Sequence, residues 1–274
     1  MNGMMKKANE RIKELEELSG RTVPPTAEAS IKVGVDLGTA YIVLVVLNHE
    51  NQPLALEMEY AEVIRDGLVV DFIGAKRIVE KLKCRVEERL DVVLTKASIA
   101  VPPGTGDRDQ RTHCYVVEGA GMEVEEILDE PTAANGVLGI RDGAIVDIGG
   151  GTTGISILQN GEVVYVADEA TGGTHLSLVL AGHHKIPFNE AEQLKKDWRR
   201  EQEVLQIVRP VIEKMASIVK KHIRGFDVQE VYLVGGTCCL RGLEKIFEEA
   251  LGIRVSKPDN PFLVTPLGIA LGKQ

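Results

Sequence analysis

A chain of 274 residues with 41 acidic and 32 basic side chains carries a net charge of −9, which argues against a nucleic-acid partner or an anionic membrane surface, whose phosphates attract Lys and Arg. Aromatic residues make up 4%, too few for the stacking platforms of single-strand binders. No apolar run approaches the ~20 residues of a membrane span, and the opening MNGMMKKANE lacks the apolar core of a secretory signal.

In chain order, residues 4–19 place Ile12, Leu15 and Leu18 at helical spacing among charges, an amphipathic helix stopped by Gly20 and used for packing or docking. RTVPPTAEAS (21–30) is a connector. VGVDLGTAYIVLVVL (33–47) is an apolar strand carrying Asp36 near its end, a Gly- and Thr-bearing turn and a second apolar strand. RDGLVVDF (65–72) leads into an amphipathic helix over 74–91, and ASIAVP (97–102) is a buried strand ended by Pro102–Pro103. Residues 104–122 form a turn and helix, and 123–131 a short strand running into Glu130. PTAANGVLGI (131–140) is a small-residue helix. AIVDIGGGTTGISIL (144–158) then repeats the first hairpin, with Asp147 in the place of Asp36.

Residues 175–224 are mostly helical, in pieces over 175–184, 189–204 and Leu205–Arg224, with Trp198 a partly buried helix residue and His183–His184 on a glycine-bearing loop. VQEVYLVGG (228–236) is a strand entering a third glycine turn, 239–252 the helix after it, and NPFLVTPLGIALG (260–272) a second small-residue helix. A helical glycine costs about 1 kcal/mol against alanine, so these two helices have a packing reason for theirs: crossing between lobes, they would make a hinge. The repeat predicts an α/β fold of two related lobes. The expected divisions are 1–30 as helix and connector, 31–140 as lobe I and 141–274 as lobe II, with a last helix at 261–273 packing back toward lobe I. Cys84, Cys114 and the adjacent Cys238–Cys239 have no metal-binding spacing, which suits a reduced, intracellular protein.

A strand-end Asp before a glycine hairpin has a chemical use. Glycine lets the backbone approach closely, so that turn N–H groups point at a phosphate, and Thr adds a hydroxyl. The aspartate orients Mg²⁺ through its water shell. Two such hairpins face to face would grip a β/γ-phosphate tail, with Asp36 and Asp147 toward one metal; taken singly, each Asp would only cap a turn. The turn Gly235–Gly236–Thr237 would lie under a purine and ribose, cradle an α-phosphate, or simply join strand to helix.

These segments resemble the actin, hexokinase and heat-shock ATPase superfamily. DLGTAY (36–41) and DIGGGTTG (147–154) are similar to its two phosphate loops, EPTAA (130–134) and PDNPFLVTPLGIAL (258–271) to its connecting helices, LVGGTCCLRGLEKIF (233–247) to its adenosine loop, and TGGTHLS (171–177) to the chaperone segment after the second phosphate loop. The match spans residues 31–274 and implies an actin-like ATPase fold, two ribonuclease-H-like lobes around a nucleotide cleft, with ATP or ADP and Mg²⁺ as cofactors. By resemblance Asp36 and Asp147 hold the metal's waters and Glu130 orients the attacking water or the metal shell. Gly38, Thr39, Ala40, Gly149, Gly150, Gly151 and Thr152 bind phosphates, with Gly172 and Gly173 behind them. Gly235, Gly236 and Thr237 face the adenosine. NEAEQLKK (189–196) is similar to the helix that contacts ribose and adenine, so Glu192 and Lys195 are candidates there, although an E-x-x-K pair is also an ordinary solvated helix face.

RDGLVVDF (65–72) and LRGLEKIFEEALGIRV (240–255) resemble the short bacterial actin-like branch, and the compact length with DEPTAANGVLGI (129–140) and DNPFLVTPLGIALG (259–272) is similar to the chaperones of ethanolamine-utilisation operons within it. This implies a cytoplasmic protein, at or near a bacterial microcompartment, with ethanolamine ammonia-lyase or other microcompartment proteins as partners, and possible self-association. Against the DnaK-type pattern this chain has Gly154 in place of a second Asp and Cys239 in place of an adenine-stacking Arg. Ala75–Lys76–Arg77 fits the string of the phosphate-contacting Lys but reads better as amphipathic helix. Slow hydrolysis is therefore expected, without the chaperones' separate peptide-binding domain. The competing reading is an actin-like filament or assembly scaffold. A small-molecule kinase would need an Asp base where Glu130 stands, and an iron–sulfur activator would need cysteines placed to bridge two subunits.

Overall fold

The structure, a computed structural model, describes residues 3–23 and 30–273. Most of the expected connector, residues 24–29, lies outside the described residues. The chain opens with α1 (Gly3–Glu16), then β1 (Ile31–Leu37), β2 (Tyr41–Asn48) and β3 (Pro53–Tyr60), a small hairpin of β4 (Ile64–Arg65) and β5 (Leu68–Val69), α2 (Phe72–Leu90), β6 (Lys96–Val101), α3 (Asp107–Gly119), β7 (Glu123–Asp129) and α4 (Glu130–Leu138). There follow β8 (Gly143–Ile148), β9 (Thr153–Gln159), β10 (Glu162–Glu169), α5 (Gly173–His184), α6 (Phe188–Lys196), α7 (Glu201–Ile223), β11 (Glu230–Val234), α8 (Leu243–Leu251), β12 (Arg254–Ser256) and α9 (Val264–Leu271).

Two five-stranded sheets share one plan. The first runs β3-β2-β1-β6-β7 and the second β10-β9-β8-β11-β12. In each, the first three strands form an antiparallel meander and the other two join parallel. The duplication read from the two Asp–Gly hairpins thus extends to every strand of both sheets, including β3, β10 and β12, which had no specific sequence signal.

Each sheet is covered on both faces, so β2 reads YIVLVVLN without alternation. Its Ile42, Leu44 and Val46 join the outer core with Ala75, Val79, Leu82 and Val86 of α2 and Val116 and Val117 of α3. α2 begins where the Asp71 carboxylate accepts from the Gly74 N–H and ends at Asp91 in the left-handed region. The outer core of lobe II packs α5, α6, α7 and α8 on β8, β9 and β11.

The inner faces meet a third core. Val43, Val45, Leu47 and Leu56 from one sheet and Ile145, Leu158, Tyr232 and Val234 from the other enclose α4 and α9, with Met5, Ala8, Ile12 and Leu15 of α1 completing the layer. α1 is therefore a packing element, tied down where Asn9 Oδ1 accepts from the Asp259 N–H at 3.0 Å. α4 and α9 cross with the backbones almost touching: a side chain at Gly268 would overlap the carbonyl of Ala133, the physical reason for glycine inside that helix.

Three local expectations are corrected. The helix expected over 189–204 stops at Lys196, because the Asp197 carboxylate accepts from the Arg199 N–H and starts a separate 3₁₀ turn, Trp198–Arg200. Trp198 on that turn is 76% exposed rather than partly buried. His183 and His184 form the last turn of α5, not a loop.

Overpacking of a close-packed contact costs about 1–3 kcal/mol, so Gly268→Ala lowers the melting temperature by several degrees in thermal unfolding. The control is Gly182→Ala on α5, where nothing lies within 4 Å of the added methyl and the better helix former leaves the melting temperature unchanged or raises it.

Candidate functional site

The two hairpin turns face one another across the gap between the sheets. Asp36 lies on the inner face of β1, opposite Val33, Val35 and Leu37, which join the outer core; Asp147 lies on the inner face of β8 for the same period-2 reason. Gly150 abuts Thr39 and Ala40 of the other turn, and Gly151 abuts Asp66 at the β4–β5 turn. Among the described residues, the backbone N–H groups of Thr39, Ala40, Gly150 and Gly151 donate to no protein acceptor. Four free donors in one notch fit an anion with several oxygens.

The second turn is braced from behind. Gly149 N donates to Thr152 O at 3.0 Å, and Gly149 O accepts from Gly173 N at 3.0 Å and from the Thr237 hydroxyl at 2.7 Å. Thr174 N donates to Gly150 O at 2.8 Å. One carbonyl thus ties together the loop at 149–152, the Gly172–Gly173 turn and the Gly235–Thr237 turn. Gly235 has φ +90°, and a side chain there would collide with the Asp147 carboxylate, so glycine is the residue the backbone admits.

Glu192 and Lys195 belong to this assembly rather than to a solvated face. Glu192 Oε2 accepts from the Ser177 hydroxyl at 2.5 Å and from Lys195 Nζ at 2.8 Å, and Lys195 also donates to Gly173 O at 3.0 Å. Ser177 and Glu192 are buried. At the mouth of the gap Lys196 sits 5.1 Å from the Tyr41 ring centroid and 5.2 Å from that of Tyr60, linking the lobes by cation–π contact.

The floor is acidic. Glu130 stands at the first position of α4, placed there because Asp129 caps the helix through Thr132 N at 2.8 Å and Thr132 Oγ1 at 2.7 Å. Burial, then the charge of Asp147, raises Asp36 from its ordinary 3.8 to about 7. Burial raises Asp147 to about 6 against a hydrogen bond from Thr265, whose hydroxyl donates to Oδ2 at 2.6 Å. Glu130 is held well above the usual carboxylate range by burial and by Asp147, Asp36 and Asp168. Among the described residues no Lys or Arg pairs with Asp36, Asp147, Glu130 or Asp168. Nor does any set of three or more His, Cys, Asp or Glu side chains converge closely enough to ligate a metal directly. Hard oxygen donors without a cationic partner fit a Mg²⁺ ion that keeps several of its waters.

The sequence-derived candidates are therefore gathered at one place, with two exceptions. Lys76 pairs with Glu80 at 2.9 Å and lies against Gly119 of α3, on the outer side of lobe I. Cys239 is exposed beside Asn260. Sequence reasoning missed Thr265 and Asp66, which have no motif of their own, and Asp168, whose position depends on strand register.

The comparisons with known proteins agree with this fold. The profile of the family described as type IV pilus assembly protein PilM matches residues 113–267. Ethanolamine utilization protein EutJ of Salmonella typhimurium strain LT2 is 42% identical over 261 residues, covering 95% of this chain and 91% of that protein. The crystal structure of EutJ from Carboxydothermus hydrogenoformans is similar with a TM-score of 0.92 at 50% identity, over 98% of this chain and 99% of that one. MreB5 of Spiroplasma citri, solved bound to ADP, shares the fold with a TM-score of 0.68 at 17% identity, over 87% and 94% of the two chains.

The raised carboxylates set a pH dependence. Asp36 and Asp147 bind a proton more tightly folded than unfolded, so their contributions are complete below the unfolded value near 3.8 and are lost as pH rises through about 6 for Asp147 and about 7 for Asp36. Thermal unfolding of the ligand-free protein should show a melting temperature that declines across that window. In Asp36→Asn the decline is shallower, and the variant melts above wild type at about pH 8.

Proposed function

The chain belongs to the EutJ family of ethanolamine utilization proteins, and over residues 113–267 to the PilM family; on that premise we propose that it is an ATP-binding, chaperone-type switch of ethanolamine utilisation, in which Mg²⁺-nucleotide binding and slow hydrolysis govern closure of the two lobes. The observation that carries this reading is the pairing of two free N–H turns with an unneutralised acidic floor. Opposite charges presented side by side are what a polyphosphate with a hydrated divalent cation complements.

In this mechanism the free N–H groups of Thr39, Ala40, Gly150 and Gly151, with the Thr152 hydroxyl, hold the phosphates from both lobes, and Gly38 and Gly149 let the two turns approach them closely. Asp36 and Asp147 hold the shell of the magnesium, which when bound supplies charge neutralisation at the phosphates. Glu130, fixed by the α4 cap and biased toward its protonated form, orients a water and takes up a proton at its carboxylate with low efficiency; this supports slow turnover. Gly235, Gly236 and Thr237 border the adenosine, and Glu192 and Lys195 contact its ribose side through the Ser177–Gly173 network. Because both turns bind one ligand, occupancy favours the closed lobe arrangement by differential affinity. The hinge is α4 against α9, with residues 31–140 and 141–274 as the moving lobes. The proposed setting is the cytoplasm at a bacterial microcompartment, with ethanolamine ammonia-lyase or another compartment protein as partner. Among the described residues no helix is long and apolar enough to cross a membrane.

Calorimetry with ATP and ADP in Mg²⁺ tests the reading. Wild type should bind both, and Asp147→Ala should bind at least about tenfold more weakly; no binding by wild type overturns the proposal, and equal binding by the variant removes the metal role of Asp147. The PilM profile and the MreB5 likeness favour a second reading, an actin-like assembly scaffold. Nucleotide-dependent light scattering that rises with protein concentration would support it, and monodisperse protein at high concentration with ATP would exclude it.

A further inference from the structure

Because the lobes are built on one plan, each sheet position in one has a counterpart in the other. In lobe I the row of directly paired residues through the site aspartate is Asp36, Val43, Met58. The corresponding row in lobe II is Asp147, Gly154, Asp168. Residues paired directly across neighbouring strands project to the same face. Asp168 therefore stands on the cleft face of the second sheet, in line with Asp147, and the strand between them carries no side chain at that level.

The opposite face of β10 supports this orientation, since Tyr165 and Ala167 pack against the outer core of lobe II. Val166 and Asp168, at alternate positions, turn toward the gap side and are exposed. The fold does not demand an acid there, because lobe I places Met58 at the equivalent point. Two further observations tie Asp168 to the site. The Thr152 hydroxyl of the second turn lies beside its carboxylate and favours its charged form, and that charge acts on Glu130 at the start of α4. Asp168 has no basic partner among the described residues, although edge strands commonly carry charge for protection alone.

We propose that Asp168 is a positioning residue of the nucleotide site, supplying from β10 a second lobe II acid that acts with Asp147 on the magnesium shell. The inference rests on the reading of the cleft as a Mg²⁺-nucleotide site. It also makes a structural statement specific to the row: the acid's task is transferable to position 154. A Cβ there would lie 3.5 Å from Pro103 Cδ and 3.7 Å from Pro131 Cγ, ordinary contact distances, and the backbone is not in the left-handed region.

The experiment is calorimetric titration of ADP in excess Mg²⁺ and again in EDTA, on wild type, Asp168→Asn and the double variant Asp168→Asn/Gly154→Asp. The readout is the magnesium gain, the ratio of the two affinities, which is independent of turnover. In Asp168→Asn the affinity in EDTA should stay within about twofold of wild type while the gain falls about tenfold, and the double variant should recover most of it. An unchanged gain in Asp168→Asn overturns the inference. So does an equal loss with and without magnesium, which marks a purely structural role, and so does a double variant that recovers nothing. Failure of wild type to bind ADP in either buffer removes the underlying nucleotide reading instead.

Discussion

The contact between the Gly268 backbone on α9 and the Ala133 carbonyl on α4 sets how far apart the two sheets stand. Both helices are sandwiched between the inner sheet faces, so their separation fixes the gap above them. At this spacing Gly150 reaches Thr39 and Gly151 reaches Asp66, while Asp36, Glu130 and Asp147 crowd one floor. The same pair of helices supplies site chemistry directly: α4 begins with Glu130, and α9 sends Thr265 to Asp147. Hinge and site are consequently one object. A change at the helix crossing therefore bears directly on the distance between the two Asp–Gly turns.

The acidic floor works against the fold that contains it. Carboxylates pushed up to about 6 and 7 by burial and mutual repulsion cost the empty protein free energy that a structural position would not retain, since asparagine or threonine would pack as well without the charge. On the proposed reading a cation and its waters between the acids would recover that cost. The two turns show the complementary imbalance, with N–H groups aimed at nothing in the protein. Stability and ligand complementarity draw on the same residues here, as expected where a site is preorganised for a partner of opposite charge.

What the sequence made legible was local. A strand, an aspartate and a glycine turn are contiguous, so their repetition exposed both Asp–Gly turns and the duplication of the two sheets. Gly235–Thr237 and the Glu192–Lys195 pair were readable for the same reason, each within one turn of chain. What stayed hidden needed register or tertiary placement. Asp168 carries no motif, and only the pairing of β9 with β10 puts it level with Asp147. Thr265 lies in an apolar helix, and nothing in LVTPLGIAL says which way a hydroxyl points. The break at Asp197 was missed because a charged run continued the helical pattern, while the side-chain cap that ends it competes locally with the backbone. At Lys76 periodicity was the better guide: the string around it fits a motif, but the amphipathic period of α2, which the sequence favoured, turns it away from the gap.

The position of α1 has a consequence for how the chain reaches this structure. Its apolar face is covered by α4, α9 and β3, and its Asn9 is bonded to a residue 250 positions away. β1 likewise packs against α9, with Gly34 seated on Ala270. During synthesis the first helix and first strand therefore emerge long before the surface they rest on. Local pairs such as β1–β2 can form early, but the inner face of the first sheet stays open until α9 has been made. Contacts of this sequence separation carry a high closure entropy and slow the search. The nascent chain therefore carries an uncovered apolar strand face and an amphipathic helix for nearly its whole translation, the kind of exposure that leaves slow-folding chains prone to aggregate.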